Sequence, residues 1–539
     1  MTVCTRTQTQ DTPMPLRRPR RPPLFLVPVV WTLGLGAWGL SRERSMWRDE
    51  AVTWEVARRS TGDILRLLEH GDVVHGVHYL FMHGLFMAFG PGLGTLRLPS
   101  VLATAVAAGC VTVLGQRLGG TGTGARTGAG SGARIGLVAG LLLGLLPAVQ
   151  FQLQEGRSFA LVAAGAAVAT LLLVRELGRP EPRRGPWLAY GTTVLLCGLL
   201  NWLSLLLLAA HLVTLLWVRP GRAVWRGWAA VAGVAVVGVA PLVRYSQGQS
   251  GQIDWIPPLT PGKLIGPAVL LVIGALGALA SRGAGPAGGA AEAAGAAGAA
   301  EAAEAAGAAG ARSSLGPDSG RRGLSVAAVG LPLLAVPQLG LIGLSLVRPV
   351  FQERYVLFSQ LGLALLLGAL ADAAVRAVRP RHPRAARWLT PAVLTAAGLA
   401  LLPGALAART PAARVDDVLS AADEVRRVAR DGDGVVYVPA ARRDTGLVSP
   451  DAFTGLTDLA LATSPTRSAT LKGVEASPAR IRAAMLARRR IVLVTDAGPR
   501  GGAAGERDRV KYAVLERYFT PLSDTETRGR RVTLYERVA

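Results

Sequence analysis

The chain has 539 residues, half of them hydrophobic, with a mean hydropathy of +0.36. That is too apolar for a soluble domain of this length and excludes an ordinary cytosolic protein. The net charge of +24 does not point to nucleic acid, because the arginines gather between apolar segments and no basic face with interleaved aromatics occurs.

Residues 1–23 form a basic tail containing Arg17, Arg18, Arg20 and Arg21, and the first apolar run is Leu24–Leu40. No small-x-small cleavage site follows it and further apolar segments do, so it reads as an uncleaved first helix with a cytoplasmic N-terminus. The later apolar candidates are Leu98–Leu118, Ile135–Phe151, Phe159–Val174, Trp187–Leu200, Leu203–Val218, Trp228–Val243, Leu264–Ala280, Leu324–Val347, Tyr355–Ala371 and Trp388–Ala408. Asn201-Trp202 divides either two short spans or one long tilted helix. Charge favours two spans. About eleven crossings put the arginine-rich connections (Arg117 to Arg134, Arg175 to Arg184, Arg219 to Arg226, Arg376 to Arg387) inside, and Asp49, Glu50, Asp72, Glu155, Asp254 and Glu353 outside.

Residues 24–408 are thus expected to be a polytopic, mainly α-helical membrane domain in the plasma membrane. Residues 283–322 form a cytoplasmic low-complexity linker within it, rich in Ala and Gly. Beyond it, 409–539 has the composition of a small α/β domain on the extracytoplasmic side. Its expected elements are a helix Arg414–Arg430, a strand Gly434–Val438, a helix from Ser477-Pro478 to Arg489, a strand Ile491–Thr495, a helix Glu506–Phe519 and a last strand Arg531–Val538. Asp431-Gly432-Asp433-Gly434 lacks calcium-loop spacing and reads as a turn. Cys4, Cys110 and Cys197 have neither metal-site spacing nor an evident disulfide role.

Chemistry concentrates at the outer interface. Asp49 and Glu50 follow the first apolar segment closely. Adjacent residues on a helix point roughly 100° apart, so one can face a cavity while the other meets its wall. A carboxylate there suits a general base, although a pair that merely solvates a loop fits the spacing equally well. His75 and His78 share a face if helical and lie beside Tyr79. With Asp49 or Asp72 they could hold a divalent metal, but no HExxH-type motif accompanies them, and binding a phosphate or a sugar is the alternative. Arginines sit beside aromatics at Arg157-Ser158-Phe159, Arg244-Tyr245 and Arg354-Tyr355, against the positive-inside trend. They suit an anionic lipid head group, or a snorkelling anchor in an aromatic belt.

Trp47-Arg48-Asp49-Glu50-Ala51, His78-Tyr79-Leu80, Phe89-Gly90 and Leu96-Arg97-Leu98-Pro99-Ser100 resemble the start of family 39 membrane glycosyltransferases. Gln154 to Leu161 resembles that group's Q-E-A-R-P-Y-A-L, and Arg354-Tyr355 its late R-Y motif. The group is similar to protein O-mannosyltransferases and the aminoarabinose transferases, within the GT-C superfamily. The resemblance runs in order from about Leu24 to Ala408.

It implies an inverting transferase that takes a sugar, mannose above all, from a polyprenyl-phosphate donor at the outer leaflet. Asp49 would be the base and Glu50 its neighbour. Glu155, Arg157, Arg354 and Tyr355 would meet the lipid phosphate, and His75, His78 and Tyr79 the acceptor or sugar. His75-Gly76-Val77-His78 replaces the group's Pro-Pro before the tyrosine, in a loop that shapes the acceptor site. The acceptor, whether glycan, lipid or protein, stays open. A lipid or polysaccharide transporter and a non-catalytic binder of lipid-linked sugar are the alternatives. The scarcity of midplane charge disfavours transport.

Overall fold

The computed structural model describes residues 23–119, 125–181, 183–249, 256–282, 323–498 and 505–538. The basic tail, Cys4, Asp254 and the 283–322 linker lie outside the described residues. Each of the eleven apolar segments contains a helix. These are α1 (Leu26–Ala37), α5 (Leu93–Gly119), α6 (Ala125–Leu143), α8 (Phe159–Leu177), α9 (Arg184–Leu200), α10 (Leu206–Val218), α11 (Arg222–Gln247), α12 (Pro261–Arg282), α13 (Val326–Val347), α14 (Gln360–Val378) and α15 (Pro383–Ala407). Among the described residues, seven helical segments are long and apolar enough to cross a membrane, namely those containing α5, α8 and α11–α15.

Asn201 separates α9 from α10. Its backbone is extended, and its side-chain oxygen accepts from Leu203 N and restarts the chain as a 3-10 turn. The segment Ile135–Phe151 is not one helix. Pro147 pushes Leu146 out of helical geometry, so α6 ends at Leu143 and a short α7 (Pro147–Gln152) follows. Small residues let helices meet closely, as at α5 and α6, where a Cβ on Gly115 would fall 2.5 Å from Gly136 Cα. On α11, α12 and α15, Val234, Val237, Leu276, Leu279 and Leu399 stand exposed, as residues solvated by lipid do.

Between α1 and α5 lie three helices that the hydropathy pattern does not mark as spans, α2 (Arg48–Ala57), α3 (Thr61–His70) and α4 (Gly76–Phe89). The turn into α2 is strained, with Arg42, Glu43 and Arg44 all at positive φ. The turn draws the Arg42 side chain into the site described below, while Glu43 and Arg44 stay exposed.

After α15 the chain builds a five-stranded sheet of order β2-β1-β5-β7-β6, from β1 (Gly434–Val438), β2 (Thr457–Asp458), β5 (Arg490–Asp496), β6 (Phe519–Thr527) and β7 (Arg530–Arg537). Strands β2, β1 and β5 are parallel, while β7 and β6 are antiparallel additions. A side pair, β3 (Leu461–Thr463) and β4 (Val474–Glu475), is antiparallel. Every residue of β1 is buried, as a strand covered on both faces requires. One face packs Val435, Tyr437, Val492 and Val494 against Ala421 and Val425 of α16 (Val418–Val428). The other packs Val436, Ile491 and Leu493 against α18 (Pro478–Leu486) and α19 (Glu506–Tyr518), with the short α17 (Asp444–Val448) at the membrane side. Ser477 stands at the N-cap of α18 but its side chain makes no capping bond.

The helix expected from Arg414 starts only at Val418. Arg414, Asp416 and Asp417 are engaged with the outer helices instead, and Val418 and Val448 pack with Met46, Ala51, Met82 and Leu96.

Candidate active site

A cavity of about 1040 Å³ lies where the ends of several long helices meet α2, the turn before α4 and the sheet domain. Of the nine residues expected to act on donor or acceptor, five line it: Asp49, His75, Arg157, Arg354 and Tyr355. Asp49 stands in the first turn of α2 with its side chain 22% exposed. Its Oδ2 is 3.1 Å from Nη1 of Arg354, which comes from the connection between α13 and α14. Arg157, before α8, donates through Nη1 to Asp49 O at 3.4 Å and through Nη2 to His75 Nε2 at 2.9 Å. That bond needs a neutral His75 with its proton on Nδ1. Arg354 lies 5.8–6.0 Å from the rings of Trp47, Phe159 and Tyr355, and its buried Nε has no hydrogen-bond partner among the described residues. Asn201 Nδ2 donates to Tyr355 O at 2.9 Å and ties this loop to the α9–α10 break.

The other four stand behind the wall. His78 Nε2 donates to Gly156 O at 3.1 Å, and the Tyr79 hydroxyl donates to Asp72. Asp72 lines the cavity, and burial pushes its carboxyl up to about 6, with the Tyr79 bond and Arg157 opposing the shift. Glu50 and Glu155 belong to a fully buried ion cluster. Arg97 of α5 holds Glu50 bidentately at 2.8 and 2.7 Å and also donates to Leu40 O and Ser45 O. Arg42 reaches Glu50 at 3.3 Å and Glu155 at 3.0 Å. Arg414 and the Trp47 indole both donate to Glu155. Burial raises the Glu50 carboxyl, but Arg97 and Arg42 outweigh it and hold it below the ordinary carboxylate range. The ~100° divergence thus puts Asp49 at the cavity and Glu50 in its foundation.

Among the described residues, no group of three or more His, Cys, Asp or Glu could hold a metal ion. His75 approaches Asp72 only at 3.8 Å and is already engaged by Arg157, while His78 is turned to a carbonyl.

Sequence reasoning passed over Arg42, Arg414 and Asp416, which stand behind the cavity, and the sheet-domain residues Arg442 and Lys472, which line it. Arg97 carried a signal, since a charge at the mouth of a long apolar helix is costly unless paired. The others are joined by distances in sequence that no local pattern reveals.

No protein-family model and no curated protein matches the sequence. Among solved structures, ArnT from Cupriavidus metallidurans in the apo state matches with a TM-score of 0.54 at 13% identity, over 95% of this chain and 97% of that one. The same ArnT bound to undecaprenyl phosphate gives 0.54 at 14%, with the same coverage. The chain has the fold of ArnT. It is mainly helical with a small C-terminal sheet domain, and its seven long apolar helices fit a multi-pass membrane protein. The arabinofuranosyltransferase AftD from Mycobacteria also matches, at 16% identity and a TM-score of 0.46, over 96% of this chain and 40% of that one. Sequence identity this low carries fold and not substrate.

Proposed function

We propose that the chain is a membrane glycosyltransferase that moves a sugar from a polyprenyl-phosphate donor to an acceptor hydroxyl at the outer face of the plasma membrane. The observation that carries this reading is the meeting of Asp49 with Arg354 and Arg157 in one cavity at the helix ends. Glycosyl transfer with inversion needs one base for the acceptor hydroxyl and one cationic site for the departing phosphate. Asp49 is a partly exposed carboxylate able to take the proton. Arg354 and Arg157 offer planar guanidinium groups that pair with phosphate oxygens, and the partnerless Nε of Arg354 leaves a donor free for one. The aromatic rings around Arg354 keep water from the phosphate and strengthen that pairing.

In this reading Tyr355 and His75 border the donor and acceptor respectively. Glu50, Glu155, His78 and Tyr79 shape the walls. The N-terminus is cytoplasmic, residues 24–408 form the membrane domain and 409–539 the extracytoplasmic one. Mannose is the first sugar to try. Membranes containing the chain, supplied with labelled polyprenyl-phosphate-mannose, are expected to pass label to an acceptor, and Asp49→Asn to abolish transfer while still binding donor. Undiminished turnover in Asp49→Asn would remove Asp49 from the mechanism.

A further inference from the structure

The helix that carries Asp49 has no cap of its own. Trp47 occupies the N-cap position of α2, and an indole cannot accept a hydrogen bond from a backbone amide. The acceptors come from the segment that follows the last membrane helix. Asp416 Oδ1 accepts from Arg48 N at 3.1 Å, and Asp417 Oδ1 accepts from Met46 N at 3.1 Å. Val418 N in turn donates to Met46 O at 2.7 Å. Both carboxylates lie at the positive end of the α2 dipole, and both are buried.

Buried carboxylates persist only where they are paired, and Asp416 is paired on its far side. Its Oδ2 accepts from Nη2 of the fully buried Arg530 of β7 at 3.0 Å, and Arg530 also holds Asp444 of α17. Two residues upstream, Arg414 donates to Glu155 and to Phe151 O, with its guanidinium 3.7 Å from the centre of the Phe151 ring. Glu155 is the same carboxylate that accepts from Trp47, one residue before α2 begins. The segment 414–417 therefore grips the start of α2 from two sides, and the sheet domain anchors that segment through β7.

We infer that Arg414 and Asp416 are positioning residues for Asp49, and that the C-terminal sheet domain is part of the apparatus that aims the base. This rests on the reading of Asp49 as the base. Neither residue lines the cavity, so neither acts on substrate directly. Without the Asp416 cap the first turn of α2 frays, and Asp49 loses its fixed distance to the reacting hydroxyl. Misplacement of a reacting group by about 1 Å costs on the order of a hundredfold in rate. Arg354 and Arg157 sit on other loops, so the loss falls on kcat far more than on donor affinity.

The test compares full-length wild type with Asp416→Ala, Asp416→Asn and the exposed control Asp423→Asn. It reads kcat, KM for labelled polyprenyl-phosphate-mannose, and amide hydrogen exchange of peptides spanning Met46 to Val52. In Asp416→Ala, exchange in the first turn of α2 is expected to rise roughly tenfold while peptides from α4 and α5 keep wild-type rates. Its kcat is expected to fall on the order of tenfold to a hundredfold, with KM changed by less than about threefold. Asp416→Asn keeps an acceptor for Arg48 N and recovers most of the rate, and Asp423→Asn matches wild type.

Unaltered exchange in Asp416→Ala overturns the inference, as does faster exchange with wild-type kcat, or a KM change as large as the kcat change. Should Asp416→Ala unfold throughout, Arg414→Gln and Arg414→Lys carry the comparison, and wild-type exchange and kcat in both overturn it. Donor binding without transfer in wild type refutes the base reading instead, and the exchange data still decide whether the segment caps α2.

Discussion

Asp49 lies between α1 and α5 and Arg354 between α13 and α14, yet their side chains meet at 3.1 Å inside one cavity. The pair is partly exposed, so its contribution to stability is small, about 1 kcal/mol or less. In the proposed reaction its value is electrostatic placement, with a carboxylate for the attacking hydroxyl beside a guanidinium for the departing phosphate.

Replacing Arg354 should therefore act on the donor. Arg354→Met removes charge-assisted bonds worth roughly 1.5–3 kcal/mol, so KM for the lipid-phosphate donor is expected to rise about tenfold to a hundredfold. Arg354→Lys, a point charge without the planar fork, should recover only part of this. Titration of inorganic phosphate as a competitor would check the assignment independently. A variant with unchanged donor KM would move the phosphate site elsewhere.

Glu50 should behave as its neighbour does not. Glu50→Gln leaves Arg97 and Arg42 buried without their full counter-charge, at a cost of roughly 3–5 kcal/mol. Thermal unfolding in detergent is expected to show a large loss for Glu50→Gln and almost none for Asp49→Asn. Equal stabilities would mean that the cluster tolerates a neutral member.

Asp72 gives a pH dependence with a definite sign. Its folded pKa of about 6 is above the unfolded value, so the folded protein holds the proton more tightly. The stability from this group is fully present below the unfolded pKa, near 4, and is lost as pH rises to about 6. Two pKa units correspond to roughly 3 kcal/mol, an upper bound. Asp72→Asn, which keeps an acceptor for Tyr79, should be more stable than wild type at pH 7 and should lose that advantage by pH 4. A stability difference that stays constant between pH 4 and 7 would contradict the shift.

The contact of α5 with α6 should tolerate no side chain at Gly136, where a Cβ would stand 2.3 Å from Thr112 O. Gly136→Ala is expected to cost about 1–3 kcal/mol by overpacking. Melting of the purified protein would show it, with transfer retained below the transition.

What could be read from the sequence was local. Alternation of apolar runs with arginine-rich connections marked the helices and Asn201 marked one break, but the break at Pro147 inside Ile135–Phe151 went unread because the apolar run continues through it. Asp49 stood out because two carboxylates beside a membrane segment need a reason. Strand β6 did not, because Phe519 to Thr527 carries Pro521 and mostly polar residues, the make-up of an edge strand and equally of a loop. Arg414 was absorbed into an amphipathic pattern that continues into α16, although its partner is Glu155. Pairings such as Arg42 with Glu155, or Asp416 with Arg48, are properties of the folded chain, and no spacing within a window encodes them.

The cap on α2 also has a temporal side. Arg48 and the Asp416 that serves its amide are 368 residues apart. At ordinary translation speeds roughly 20–75 s separate their synthesis. A ribosome that has made α2 has therefore made a helix whose first turn waits, unfinished, for 368 further residues. On the positioning inference above, a product that stops before Asp416 is expected to carry Asp49 on a loose turn and to be inactive, and assay of such a truncation would check it.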